Sequence, residues 1–207
     1  ISSGNFLMFY VGLELSALPI AALVAFETMK RRSAEAGIKF ILLAALASGT
    51  SLFGVSLLYA STGTVYFQEM AALLSYSSLS ITGFIFFFAG IAFKISLVPF
   101  HFWTADVYEG APIGITSYLS VISKGAAVTI LTIILFTVMQ SFQEVIHVLL
   151  YIVALATMFI GNLFALRQKN MKRFLAFSSI AQAGFILLGL MANDQLGIST
   201  VVYFITI

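Results

Sequence analysis

The chain has 207 residues, 61% of them hydrophobic and only 9% charged, with a formal net charge of +2. A soluble globular domain carries about 25% charged residues, so the composition excludes a water-soluble domain and points to an integral membrane protein. There are no cysteines, so these residues can build no iron–sulfur cluster, thiolate metal site or disulfide.

The apolar stretches are long and continuous, without the ten-residue alternation of a membrane barrel. The fold class is therefore all-α: a polytopic transmembrane helix bundle. In chain order the expected spans are roughly 3–26, 35–60, 79–103, 114–140, 144–167, 171–191 and 195–207, the last incomplete. The connection 61–78 is the longest and has room for a short surface helix. The other loops are short, so neighbouring helices should pack antiparallel. No linker divides the chain, and residues 1–207 read as one transmembrane domain. It begins at Ile1 rather than Met and ends in "STVVYFITI", and is expected to be a fragment of a longer polypeptide.

The basic residues sort into two kinds. Lys30, Arg31 and Arg32 lie between the first two spans, and Arg167, Lys169, Lys172 and Arg173 between the fifth and sixth. Both loops fall on one face of the membrane, and the positive-inside rule puts that face in the cytoplasm. These charges read as topology signals. Lys39, Lys94 and Lys124 instead stand alone within apolar spans, together with the acid Glu14 in "YVGLELSALP".

At 1.5 Å rise per residue, Glu14 lies about 16 Å, Lys94 about 22 Å and Lys124 about 15 Å along their spans. A lone charge at the bilayer centre costs at least about 2.5–3.5 kcal/mol, and such residues usually pair inside a bundle or line a hydrated path. Glu14, Lys94 and Lys124 therefore read as a proton or ion pathway, with a static ion pair that fixes helix register as the bland alternative. Lys39 is about 6–8 Å from the inner face and can snorkel there; for it both readings stay open. Burial and neighbouring charge set the proton affinity of an amine, so a carboxylate that approaches or leaves a buried lysine can load or release a proton.

The stretch "AFKISLVPFHFW" places Pro99 shortly after Lys94. Its missing N–H would leave the Ile95 carbonyl without a helical partner. Broken helices at membrane depth line cavities and ion sites; a plain proline kink is the bland alternative, and the coincidence with a buried lysine favours the break. His101 follows the break, either as a proton relay or as a packed histidine. Trp103 and Tyr108 look like interfacial belt aromatics, and Asp106 and Glu109 like solvated or capping groups. Ser178, Ser179 and Gln182 either line a hydrated path or serve helix packing. The two histidines, His101 and His147, show no ligand spacing, and no phosphate-binding glycine loop occurs. No metal or cofactor site is expected.

The ordered set "FKISLVPFHFWTADVYEGAP", "SVISKGAA" and "NLFALRQKNMKRFLAFSSIAQAGF" resembles the antiporter-like membrane subunits of bacterial complex I, NADH–quinone oxidoreductase. The "DVYEGAP" turn is similar to that of the subunit N branch rather than the L and M branches. The resemblance spans nearly the whole chain. It implies part of a fold of two inverted five-helix repeats, each with one broken helix. It further implies that Glu14 pairs with the broken-helix lysine Lys94, that Lys124 carries protons onward, and that Lys39 matches a further family lysine. Two positions depart from the family pattern: Ala105 stands where a proline is usual, and Ser123 precedes Lys124 where a proline is usual. Neither removes a titratable group.

The function implied is proton translocation coupled to quinone reduction in other subunits, with no redox centre in this chain. The partners would be other membrane subunits of complex I, lipid, protons and water, with no nucleic acid, in the bacterial inner membrane. An Mrp-type cation/proton antiporter subunit and an inert membrane scaffold are the competing readings. Cysteines placed in loops 27–34 and 167–173 should be labelled only when the cytoplasmic face is exposed; labelling of both from the periplasm of sealed cells would refute this topology.

Overall fold

The computed structural model describes residues 3–192 and 195–206. Helix α1 (Phe6–Val24) starts at Asn5, whose side chain accepts the Met8 N–H, as an N-cap should. The long α2 (Arg31–Thr62) stops at Gly63, whose φ of 76° gives the left-handed cap that glycine adopts without steric cost. A short α3 (Phe67–Leu73) fills the long connection. Then come α4 (Ser78–Ile95), α5 (Phe102–Gly110) and α6 (Ile113–Tyr118). A π-helical stretch, Leu119–Ser123, joins α6 to α7 (Lys124–Thr137) in one continuous helix. The chain continues through α8 (Gln143–Leu166), α9 (Met171–Met191) and α10 (Gln195–Thr206).

Among the described residues, six helical segments are long and apolar enough to cross a membrane. The expected seventh span is α10, whose 12 residues reach about 18 Å, less than a hydrocarbon core of about 30 Å. Ile1 and Ile207, on which the expectation of a cut chain rests, lie outside the described residues.

The third expected span, 79–103, is broken, as expected, and not merely kinked; the break falls ahead of Pro99. Helix α4 ends at Ile95, and Ser96 takes a left-handed backbone conformation with φ of 69°. The Ser96 and Leu97 N–H groups turn back onto the carbonyls of Phe93 and Ala92, closing the helix as a left-handed cap does. Pro99 lies beyond, in a non-helical stretch with a cis Val98–Pro99 bond. The break is therefore set at Ser96, ahead of the proline.

The helices pack through small residues, as membrane helices do when no hydrophobic force separates lipid from protein. A Cβ on Gly54 of α2 would stand 2.3 Å from the Phe87 nitrogen of α4, so only glycine allows this approach. The apolar interior divides into two clusters. Along α4, Phe93 belongs to one and Ile95 to the other, with Lys94 between them. In the helix spanning Ile113–Thr137, Leu119 and Val128 fall in different clusters and Lys124 lies between. Glu14 stands likewise between Leu13 and Ile20 on α1. Glu14, Lys94 and Lys124 thus occupy a seam between the two clusters.

Gly54→Ala must push α2 and α4 apart, and overpacking of this kind costs about 1–3 kcal/mol. The expected outcome is a clear drop in properly assembled protein on native gels of membranes. Gly49→Ala, whose added Cβ meets nothing within 4 Å, should leave assembly unchanged.

Candidate functional site

Lys94 stands in the last turn of α4, where the exposed carbonyl ends of a helix favour a cation. It is half-buried, as is Glu14 on α1. Lys94 and Glu14 form no ion pair within 4.0 Å, so the structure holds the expected pair apart. Lys94 faces a cleft of about 530 Å³ between α1, α4 and the Ile113–Thr137 helix. Ser16, Tyr118 and Ser123 supply polar groups to its wall, and Ser123 directly precedes Lys124.

Lys124 is the more deeply enclosed cation, 6% exposed. Its amine donates to the Ser179 hydroxyl at 2.9 Å and to the Ser179 carbonyl at 3.2 Å. It also lies 5.9 Å from the centroid of the Tyr108 ring, within the range of cation–π attraction. Among the described residues no carboxylate pairs with it. Dipoles and a π face, rather than a counter-charge, seat this amine. The π-helical turn, a feature found often at functional sites, ends at the residue before it. Of the three polar residues expected on α9, Ser179 meets Lys124, Ser178 is half-buried and Gln182 is exposed.

The helix break is tied down on both sides. Thr157 of α8 accepts the Val98 N–H at 3.1 Å, and the Trp103 indole donates to the Phe93 carbonyl at 3.0 Å. Trp103 and Tyr108, expected at the membrane interface, are buried at 4% and 1% exposure. The reason is that α5 folds back between α2 and α9 instead of reaching the lipid. His101 caps the start of α5, buried and stacked on Phe102.

Lys39 does not join Glu14 and Lys94. It is bound to Asp106 at 2.8 Å and to Glu35 at 2.7 Å. Asp106 also receives Arg173 at 2.7 Å, and Glu109 receives Arg173 at 3.0 Å and Arg32 at 3.1 Å. The Lys172 amine donates to the Ala111 carbonyl at 2.8 Å, just past the end of α5, where helix carbonyls lack partners. Asp106 and Glu109 are thus more than plain caps or solvated groups. They fasten α5 to α2 and α9, using Arg32 and Arg173, which the sequence assigns to topology alone, and Lys39, for which it leaves two readings open. Gly110 permits the approach, since a Cβ there would stand 2.5 Å from the Arg32 carbonyl.

Sequence reasoning missed the role of α5 in this arrangement. The available signal was helical spacing: 101, 104 and 108 fall on one helix face, as do 106 and 109.

A family model described as NADH:quinone oxidoreductase/Mrp antiporter, TM, matches residues 3–207. The chain belongs to this transmembrane antiporter-like family. It is 51% identical over 204 residues to NADH-quinone oxidoreductase subunit N of Azobacteroides pseudotrichonymphae, covering 99% of this chain and 42% of that protein. Among solved structures it resembles a chain of the archaeal membrane-bound sulfane sulfur reductase, with TM-score 0.89 and 32% identity, covering 98% of this chain and 42% of that one. It also resembles a chain of respiratory complex I from Thermus thermophilus with bound aureothin, with TM-score 0.81 and 33% identity over 99% of this chain and 44% of that one. The chain thus spans less than half the length of the relatives it matches. The antiporter-like fold expected from the sequence is shown by these similarities.

The fastening of α5 has a measurable signature. Burial opposes ionisation of Asp106, but the hydrogen bonds from Lys39 and Arg173 prevail and hold its carboxyl below the ordinary value of 3.8. A carboxylate with a depressed folded-state value stabilises above its unfolded value, and that contribution fades as pH falls through the folded one. Asp106→Asn should therefore cost about 1 kcal/mol near neutral pH, a modest figure because the network is partly solvated. The variant and parent proteins should converge in thermal melts as the pH drops below 3.8.

Proposed function

We propose that this chain is the proton-translocating part of a subunit N-type membrane subunit of bacterial NADH–quinone oxidoreductase, in the inner membrane, driven by quinone reduction in other subunits. The observation that carries the proposal is Lys124: an almost wholly enclosed lysine with a hydroxyl, a carbonyl and a ring around its amine, and no counter-ion among the described residues. An amine that served only to fix helix register would be expected to hold a carboxylate. An amine that must gain and lose a proton is better served by neutral dipoles, which leave both protonation states accessible. The 51% identity to a subunit N sequence supports the placement in complex I.

In this reading Glu14 and Lys94 form the loading element. When the Glu14 carboxylate approaches, Lys94 holds its proton; when it withdraws to the separated arrangement, the proton is released into the cleft. The polar wall of Ser123 and Tyr118 leads the proton toward Lys124. Lys39 holds the cytoplasmic end of α5 rather than carrying protons, and His101 stands at the break where a relay would be. Sodium/proton exchange of the Mrp type is the competing function within the same family description.

The test uses the full complex in sealed vesicles, with assembly measured separately. Lys124→Ala should slow proton uptake about a hundredfold, the scale of losing one proton-transferring group. Lys124→Arg should be equally poor, because arginine keeps the charge and hardly deprotonates. Wild-type pumping by Lys124→Arg would reduce the role of this residue to fixed charge. Glu14→Ala should depress pumping more than electron transfer to a soluble acceptor. Sodium-dependent proton exchange by vesicles lacking electron donors would favour the antiporter reading.

A further inference from the structure

The end of α7, the start of α8 and the end of α9 enclose a second cleft, of about 420 Å³. It shares no residue with the cleft that Lys94 faces. Phe136 of α7, Leu150 of α8 and Leu190 of α9 give it an apolar interior. Its hydrogen-bonding side chains are Gln143, Glu144 and His147, all at the start of α8. Val148, 58% exposed, stands at its mouth. A mostly apolar cavity of this size, between helices and with a few convergent polar groups, is the usual form of a site for a small amphipathic molecule.

The surroundings narrow the class of that molecule. All three helices belong to segments long and apolar enough to cross a membrane, so the cleft opens toward acyl chains. Its polar rim lies within about 6 Å of the end of the α8 span, at the end opposite Arg167 and the basic loops. An apolar body with a polar tip at that depth is a phospholipid. Charge then selects the headgroup. No lysine or arginine lines the cleft, and none occurs between residues 125 and 166. Glu144 is exposed and has no salt-bridge partner among the described residues. A purely anionic headgroup would meet this carboxylate with no cation to offset it. A headgroup with a primary ammonium beside its phosphate meets a counter-charge, in a charge-assisted hydrogen bond. Gln143 and His147 are one helical turn apart on one face, and their N–H groups donate to phosphate oxygens. No side chain caps α8, and the positive end of its dipole favours the phosphate further.

We propose that this cleft binds one phospholipid with an ethanolamine headgroup, from the leaflet opposite the basic loops. An acyl chain lies between α7 and α9, the ammonium sits on Glu144, and the phosphate sits on Gln143 and His147. The same two helices are joined by the Lys124–Ser179 bond, about 18 Å back along α7 from Phe136. The lipid therefore sets their separation toward one end, as the buried amine does toward the other. The inference is independent of proton translocation and asks only that the chain spans a membrane.

The experiment uses the whole complex in vesicles that contain a trace of phospholipid with a light-activated diazirine at the end of one acyl chain. The probe carries either an ethanolamine or a glycerol headgroup, and labelled peptides are mapped by mass spectrometry. The ethanolamine probe should label the segments around Phe136, Leu150 and Leu190 about fivefold more than the glycerol probe, the scale of one ion pair at an aqueous interface. Glu144→Gln should erase that preference. Val148→Trp, which fills the mouth from an exposed position, should remove labelling by both probes while the complex still assembles. Equal labelling of the parent by the two probes overturns the headgroup assignment. No labelling of these segments, while other lipid-facing parts of the same complex are labelled, means that protein covers the cleft and overturns the site.

Discussion

A cation taken out of water must be given something in its place, and the arrangement around Lys124 follows from how that is done. A carboxylate would hold the amine charged and fixed. A lipid-facing position would cost several kcal/mol. Here the Ser179 hydroxyl and carbonyl and the Tyr108 ring surround it. Those groups are brought in from two other helices, α9 and α5. Tyr108 can reach Lys124 only because α5 is folded inward, and α5 is folded inward only because the chain breaks at Ser96.

The break in turn needs support, since non-helical backbone at membrane depth has polar groups to satisfy. Thr157 takes the Val98 N–H and Trp103 donates to the Phe93 carbonyl. At its other end α5 is held by Asp106 and Glu109 against Arg32, Lys39 and Arg173. The polar seam and the ion network are thus two ends of one short helix. The glycines that let α2 approach α4 and α5 set the spacing within which both fit.

The helical class, most of the span positions and the isolated charges within the spans were legible, because apolar runs of membrane length and isolated charges within them are strong signals. What stayed hidden was whatever depends on the path of the chain between spans. Pro99 drew attention as the breaker, but Ser96 turns the chain, and nothing in a serine announces a left-handed residue. Trp103 and Tyr108 have the composition of belt residues and were read as such; only the fold-back of α5 buries them. Arg32 and Arg173 obey the positive-inside rule, and that rule hid their pairing, because a charge that satisfies a topology signal gives no sign of also holding a partner far along the chain.

Trp103 has an experimental consequence of its own. It is the single tryptophan of these 207 residues, it is almost wholly enclosed, and its indole N–H is bound to the carbonyl at which α4 gives way. Indole emission shifts to longer wavelength when the ring meets water or its N–H changes partner. The helix break therefore carries a native optical probe at the point where any opening must pass, and its colour reports the state of the break without a label being attached.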